Sequence, residues 1–411
     1  MKKEDFFKLM DGIDDRLVEK YAISDEAEAR QKQIRRQRRQ RWLNQVTGCA
    51  VAAIILGVIG VAMLCASFGI VRMDRQSQKT PVSLGDGNDS QNNENNGDEE
   101  KELFGSWMNA PRDACFDPAF ERVAYIWALA YEQKNSEHVN GVVSLTPAII
   151  QNMLGYIGNV TLSDGTELTS ENATQVLQYD LYYKYLNANA SSSAGDYVDN
   201  LFAETAKVTM AKLVSDFDVK KAGDYYKVFS DGAKNRTVMM WMEDEEEQEL
   251  VKNAGCSGGL NEDPQNPETG VYFSISDPCK LGWFLNIDTQ ISEPVVNSNG
   301  SSTYEVIATY SNTLSDNDKI NAGRYILGNY GGTITGYIHI FAPAGGTISD
   351  IEMSNGDTMY TGNYNNLQVA YRFGNSIAPG SSITVTYKVT TASGVTNPLG
   401  VNSTPTLQNY R

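Results

Sequence analysis

Two histidines in 411 residues leave little scope for imidazole chemistry. His138 lies in a polar run, and His339 sits in the alternating stretch "GYIHIFAP", where a lone histidine reads as a structural residue. Paired carboxylates can do acid–base work or hold a cation. Glu243, Asp244, Glu245, Glu246 and Glu247 form such an acidic run. At the start of a helix, however, a run of this kind complements the macrodipole and stays solvated, and we read it so. Tyr179, Tyr182, Tyr183 and Tyr185 could stack on sugar rings, although helical spacing turns some of them inward. A nucleophile elbow, a His-Glu-x-x-His helix, a phosphate loop and a dinucleotide fingerprint are all missing from the sequence. No Cys-x-x-Cys pair occurs, which argues against a zinc or thioredoxin-type site. The sequence therefore nominates no catalytic residue, no metal ligand and no cofactor.

The stretch "GNVTLSDGTELTSENATQVL", residues 158–177, is less easily dismissed. Small polar residues around glycine can cradle a phosphate or a sugar, or they can turn the chain. Asp164–Gly165 reads as a hairpin turn that pairs Val160 and Leu162 with 166–168. Thr169 or Ser170 then caps a helix, with Glu171 near its positive end. The N–H groups after Ser170 are where an anion would sit, which makes Ser170 a candidate ligand contact.

The scaffold that must position these groups is unevenly charged. Residues 1–75 carry 14 Lys+Arg and 10 Asp+Glu, whereas the remainder carries 20 and 41. An acidic bulk disfavours nucleic acid as a partner. From Val46 to Val71 there are 26 residues without a charge, "VTGCAVAAIILGVIGVAMLCASFGIV". About 20 apolar residues span a bilayer as a helix, and the long preceding segment favours a retained anchor over a signal peptide. Arg35, Arg36, Arg38, Arg39 and Arg41 flank it on one side, against Arg72 and Arg75 on the other. The positive-inside rule then puts the N-terminus in the cytoplasm and residues 76–411 outside.

The expected fold is α+β and multidomain. Residues 1–45 form a cytoplasmic tail, in which Phe6, Met10, Ile13, Leu17 and Tyr21 mark one amphipathic helix. Residues 46–71 are the single transmembrane helix, and 72–103 are a disordered acidic linker. Residues 104–290 form an extracellular α/β domain. Its predicted helices are 117–133, capped by Asp117 with Pro118 first in the helix, one starting at Thr146–Pro147, and one over 196–215. Strands are expected at "GVVSL", 237–242 and 271–275. Residues 291–411 alternate at period two and form a C-terminal antiparallel β-sandwich. In "SITVTYKVTT", Ile383, Val385, Tyr387 and Val389 share one face. Cys49 and Cys65 fall in the uncharged stretch, and Cys256 and Cys279 are a candidate disulfide that leaves Cys115 over.

Five phrases, in order, resemble one family. "VNGVVSLTPAIIQNMLGYIGNVTLSDGTELTSENATQVLQYDLYYKY" resembles the core of the domain-of-unknown-function family DUF4012, found in envelope-anchored proteins of Gram-positive and related bacteria. "RTVMMWMEDEEEQELVKNAGCSGGL", "GVYFSISDPCKLGWFLN", "YIHIFAPAGGTISDIEMSNG" and "FGNSIAPGSSITVTYKV" resemble its later blocks, with Lys280 at the family's lysine position. The likeness covers about 104–411. An upstream block of longer members is missing, so the resemblance implies a form truncated at its N-terminal part. A more distant likeness is to the LytR–CpsA–Psr glycan transferases, whose long helix opens with arginines that would hold a lipid pyrophosphate. In "DYVDNLFAE" those places are held by Asp199 and Phe202, which argues against retained transferase activity. The tail and membrane stretch resemble single-pass proteins of clostridial-type bacteria, some of them anti-sigma-like.

Three functions follow as expectations. The first is a non-enzymatic, membrane-anchored cell-surface protein that organises the envelope by binding wall glycan or another surface protein. The second is a divergent glycan phosphotransferase with a basic cleft drawn from Lys207, Lys212, Arg236 or Lys280. The third is a transmembrane signal transducer whose tail grips a cytoplasmic regulator. Ser170, Lys280 and Arg236 are the residues nominated for ligand contact, and oligomeric state is left open.

Overall fold

Alternation at period two sends every second side chain to the same face of a strand, and it builds most of the C-terminal half. The computed structural model describes residues 96–408, apart from 106, 107, 109, 192 and 217. The expected cytoplasmic helix, the stretch 46–71 and its arginine flank lie outside the described residues. Among the described residues, no helix is long and apolar enough to cross a membrane.

Two five-stranded sheets face each other. One runs β10 (Thr347–Met353), β13 (Ser382–Thr390), β8 (Ser302–Asn312), β6 (Leu285–Ile291), with β7 (Val295–Val296) also on β8. The other runs β11 (Tyr360–Tyr364), β12 (Leu367–Ile377), β9 (Ile334–Phe341), β5 (Glu268–Ile275), β14 (Gly400–Ser403). Ile383, Val385, Tyr387 and Val389 of β13 are all buried, as their spacing predicts. They meet Val271, Phe273, Ile338 and Ile340 of the opposing sheet in one apolar cluster.

The second sheet has apolar side chains on its other face too. Tyr272, Phe341, Val369 and Tyr371 pack there against α1 (Asn96–Phe104) and α2 (Phe120–Asn135). Beyond α2 lies a two-stranded antiparallel ribbon, β1 (Gly141–Leu145) with β4 (Val238–Met242). Val142, Met239 and Trp241 of this ribbon pack on the same cluster. The chain from β1 to β4 supplies α3 (Pro147–Ile157), the short hairpin of β2 (Val160–Thr161) and β3 (Glu167–Leu168), and three further helices. The first of these, α4, is α-helical over Ala173–Gln175, π-helical over Val176–Asp180, and α-helical again over Leu181–Tyr185. Then come α5 (Ala194–Ser215) and α6 (Ala222–Lys234), and after β4 the helix α7 (Glu245–Asn253).

Several expectations change. Mixed α+β architecture with a β-rich C-terminus is what forms. The strand expected at 271–275 is β5, and it pairs with β9 inside the sandwich rather than with the ribbon. β6 likewise pairs with β8, upstream of the expected boundary at 291. The sandwich is not wholly antiparallel, because β14 runs parallel to β5. The last residues of the expected linker are helical: Glu100, Leu103 and Phe104 of α1 are buried. Asp117 does not cap a helix that starts at Pro118. The helix starts at Phe120, and Asp117 Oδ1 instead accepts the Ala119 N–H at 2.7 Å.

Candidate functional site

The Ser-Asp-Gly stretch is a three-residue hairpin loop. Leu162 N–H donates to Thr166 O and Gly165 N–H to Leu162 O, at 2.8 and 2.9 Å. Gly165 takes φ +84°, the left-handed region that closes such a loop. In the turn before α4, Thr169 Oγ1 accepts the N–H groups of Glu171 and Asn172, and Asn172 Oδ1 accepts Thr169 N–H; the N-cap of α4 is Asn172, not Thr169 or Ser170 as expected. The N–H groups expected to be open to an anion after Ser170 are thereby taken.

The hairpin tip does more than turn. Ser163 donates through N and Oγ to the two carboxylate oxygens of Glu204 on α5, at 2.8 and 2.7 Å. Asp164 Oδ2 accepts from Tyr185 Oη at 2.6 Å, Lys184 Nζ at 3.0 Å and Thr166 Oγ1 at 2.8 Å, and its Oδ1 accepts Thr166 N–H at 2.9 Å. Burial acts to raise this carboxyl. The bonds from Tyr185, the Thr166 amide, Lys184 and the Thr166 hydroxyl overcome it and hold Asp164 well below the usual carboxylate range. One turn thus ties the end of α4 to α5.

Between those two helix ends lies an open polar concavity of about 510 Å³. Lys184, Tyr185, Asn189, Ser191, Ser193 and Tyr197 line it. The rings of Tyr185 and Tyr197 meet edge to face at 4.9 Å, and Tyr197 is 42% exposed. The Ala188 N–H donates to Asn321 O at 3.0 Å, which fixes the loop from the sandwich side. Gly323 lies so close to this loop that a Cβ would fall 2.4 Å from Leu186 O.

The other nominated residues do not line this concavity. Arg236, at φ +54° and buried, donates to the carbonyls of Pro118 and Gly258, the latter at 2.9 Å. It reaches Gly259 O and Asn402 Oδ1 at 3.4 Å, and its guanidinium covers Tyr272. Lys280 Nζ lies 4.7 Å from the ring centre of Tyr182 and 5.8 Å from that of Tyr325. Lys212 pairs with Asp216. Ser170 is exposed and Cβ-adjacent to Gly155. Phe202 packs on Tyr182, and Tyr179 stacks on Tyr183 while its hydroxyl bonds Asp318.

Cys256 and Cys279 are not bridged. Cys256 is a buried free thiol in the turn after α7, and Cys279 is a half-buried one packed against the sandwich core. The turn that carries Cys256 is held to the ribbon by Met240 N–H at 2.7 Å, apart from the sandwich end that holds Cys279. In the acidic run, Asp244 caps α7 by accepting Glu246 and Glu247 N–H, as a helix start requires. Among the described residues, no cluster of His, Cys, Asp or Glu is arranged to hold a metal. Sequence reasoning missed Asn189, Ser191, Ser193 and Tyr197, because "NANASSS" reads as a loop and only the return of α5 against α4 makes it a wall.

The fold and site together define a β-rich α+β protein with a preformed polar concavity. The model of the family described as "Protein of unknown function (DUF4012)" matches residues 55–182. The matched span starts inside the uncharged stretch, upstream of the likeness read from sequence, and ends on α4 at Tyr182. It takes in the first quoted block as far as Tyr182, and the four later blocks lie beyond it. No curated protein and no solved structure matches the chain.

Proposed function

We propose that this chain is a membrane-anchored protein of the bacterial cell surface that works by binding an envelope component, wall glycan or another surface protein. The observation that carries the binding role is the concavity between α4 and α5. Its walls are tied together by the hairpin before any ligand arrives, which lowers the ordering cost of binding. Anchoring is supported by the charge-free Val46–Val71 and its five-arginine flank. In this reading the N-terminus is cytoplasmic and residues 76–411 lie outside. A transferase reading would need free cations in one cleft; of the four nominated, Arg236, Lys280 and Lys212 meet structural partners, and Lys207 is exposed on α5.

The test uses the full chain in lipid nanodiscs, incubated with sheared wall polymer and with a surface-protein extract. Retention of one of them above empty discs is expected. Retention of neither overturns the proposal.

A further inference from the structure

The concavity also specifies the chemistry of its ligand. We infer that it is a subsite for a neutral glycan, and that Asp164 and Glu204 are the residues that position its walls; this rests on the envelope-binding reading above.

Charge is the first argument. Lys184 is the cation of the lining, and its Nζ lies 3.0 Å from the buried Asp164 carboxylate. An anionic polymer needs uncompensated donors, and here the positive charge is already matched. A neutral ligand meets no such conflict. The second argument is surface chemistry. A sugar ring has an apolar C–H face and a rim of hydroxyls that both donate and accept. Tyr197 offers a half-exposed ring for that face, and a tyrosine supplies an apolar body with a polar end. Asn189, Ser191 and Ser193 supply groups that donate and accept in turn. The third is size and shape. About 510 Å³ lies in the range of small-ligand sites, whereas a protein partner would call for a broad face of roughly 800 Å².

Rigidity explains the hairpin. Asp164 orients Lys184 and Tyr185 on one wall, and Ser163 grips Glu204 on the helix that carries Tyr197. Removing the Asp164 charge loosens one wall and leaves Lys184 unmatched, but it keeps the Tyr197 ring that meets the sugar. It should therefore weaken binding less than loss of the ring does.

The experiment titrates the full chain, in nanodiscs so that no sugar-headed detergent competes, with three probes. These are a β-1,4-linked N-acetylglucosamine trisaccharide, maltotriose and a glycerol-phosphate oligomer. At least one neutral trisaccharide should bind. Tyr197→Ala should weaken it by about tenfold or more, Tyr197→Trp should restore it, and Asp164→Asn should weaken it severalfold. Tyr226→Ala, at an exposed tyrosine of α6 away from the lining, should leave it unchanged. Asn189→Ala gives a second reading should Tyr197→Ala fail to fold, and it too should weaken the trisaccharide. Sugar binding indifferent to both variants, or binding of the phosphate oligomer alone, overturns the inference. Binding of no probe, with a surface protein still retained, overturns it while leaving the envelope-binding proposal standing. Retention of nothing at all overturns both.

Discussion

The Tyr364 hydroxyl donates to Asp117 Oδ2 at 2.6 Å, joining the turn before α2 to the end of β11 across 247 positions of sequence. Asp117 is buried, and its second oxygen accepts Ala119 N–H. Burial pushes its carboxyl up to about 7, against the pull of the Tyr364 and Ala119 bonds. Because Tyr364 favours the ionised form, its loss should matter most where Asp117 is charged. Tyr364→Phe should cost about 2 kcal/mol at pH 8 and clearly less at pH 5, read from urea unfolding at both values.

Asp117 has an opposing partner in the same cluster. His339 is buried on β9, where its Nε2 donates to Leu103 O at 2.7 Å and Nδ1 has no partner. Burial lowers its pKa from 6.5 to about 4. An unfolded carboxyl ionises near pH 4 while the folded Asp117 keeps its proton to about 7, so this group costs stability as pH rises through that window. An unfolded imidazole charges near 6.5 while the folded one stays neutral to about 4, so His339 costs stability as pH falls through the same window. The two slopes nearly cancel. Asp117→Asn should remove one of them, so the mutant gains on the wild type by a few kcal/mol between pH 4 and 7. An unfolding midpoint shifted equally at both pH values would sink this account.

Helix α1 is held to the body by ionic and hydrogen bonds as well as by Leu103 and Phe104. Arg122 meets both carboxylate oxygens of the buried Glu100 at 2.8 Å, and the Tyr371 hydroxyl donates to Glu102 at 2.8 Å. Removing one member of a buried pair strands the other charge, typically for roughly 3–5 kcal/mol. Arg122→Ala should therefore speed amide exchange over 100–104 while leaving β8 and β13 protected. Uniform loss of protection would mean that α1 has no separate attachment.

Arg236 fastens the turn before α2 and the turn after α7 with a single guanidinium. Lysine keeps the charge but cannot fan its donors over three carbonyls. Arg236→Lys should lower the melting temperature nearly as far as Arg236→Ala, each by about 3 kcal/mol in stability. Rescue by lysine would show that charge alone matters at this place.

Local elements were legible where a local pattern sufficed. The alternation of Ile383, Val385, Tyr387 and Val389 located β13 and its buried face, and the helix expected at 196–215 forms at Ala194–Ser215. Thr146–Pro147 marks the start of α3 as expected. α1 was missed because its acidic N-terminal turn continues the linker's composition, and the signal was the apolar pair Leu103–Phe104. Asp117–Pro118 carried a helix-start pattern, and Asp117 does accept the nearby Ala119 N–H, but Tyr364 claims its other oxygen from 247 positions away and the helix starts only at Phe120.

The site divided along the same line. By itself the sequence determined that Asp164–Gly165 turns the chain, because that depends on bonds within a few residues. It also determined a charge-free stretch with an arginine flank, since that is composition alone. Only the tertiary structure decided that β5 joins the sandwich, that Arg236 and Lys280 are spent on carbonyls and tyrosine rings, and that a loop of Asn, Ala and Ser becomes the wall of a concavity. Each of those outcomes depends on partners tens to hundreds of residues away, such as Glu204 for Ser163 and Asn402 for Arg236. No local periodicity encodes such pairings; they form when burial brings distant segments together and their polar groups must find partners there.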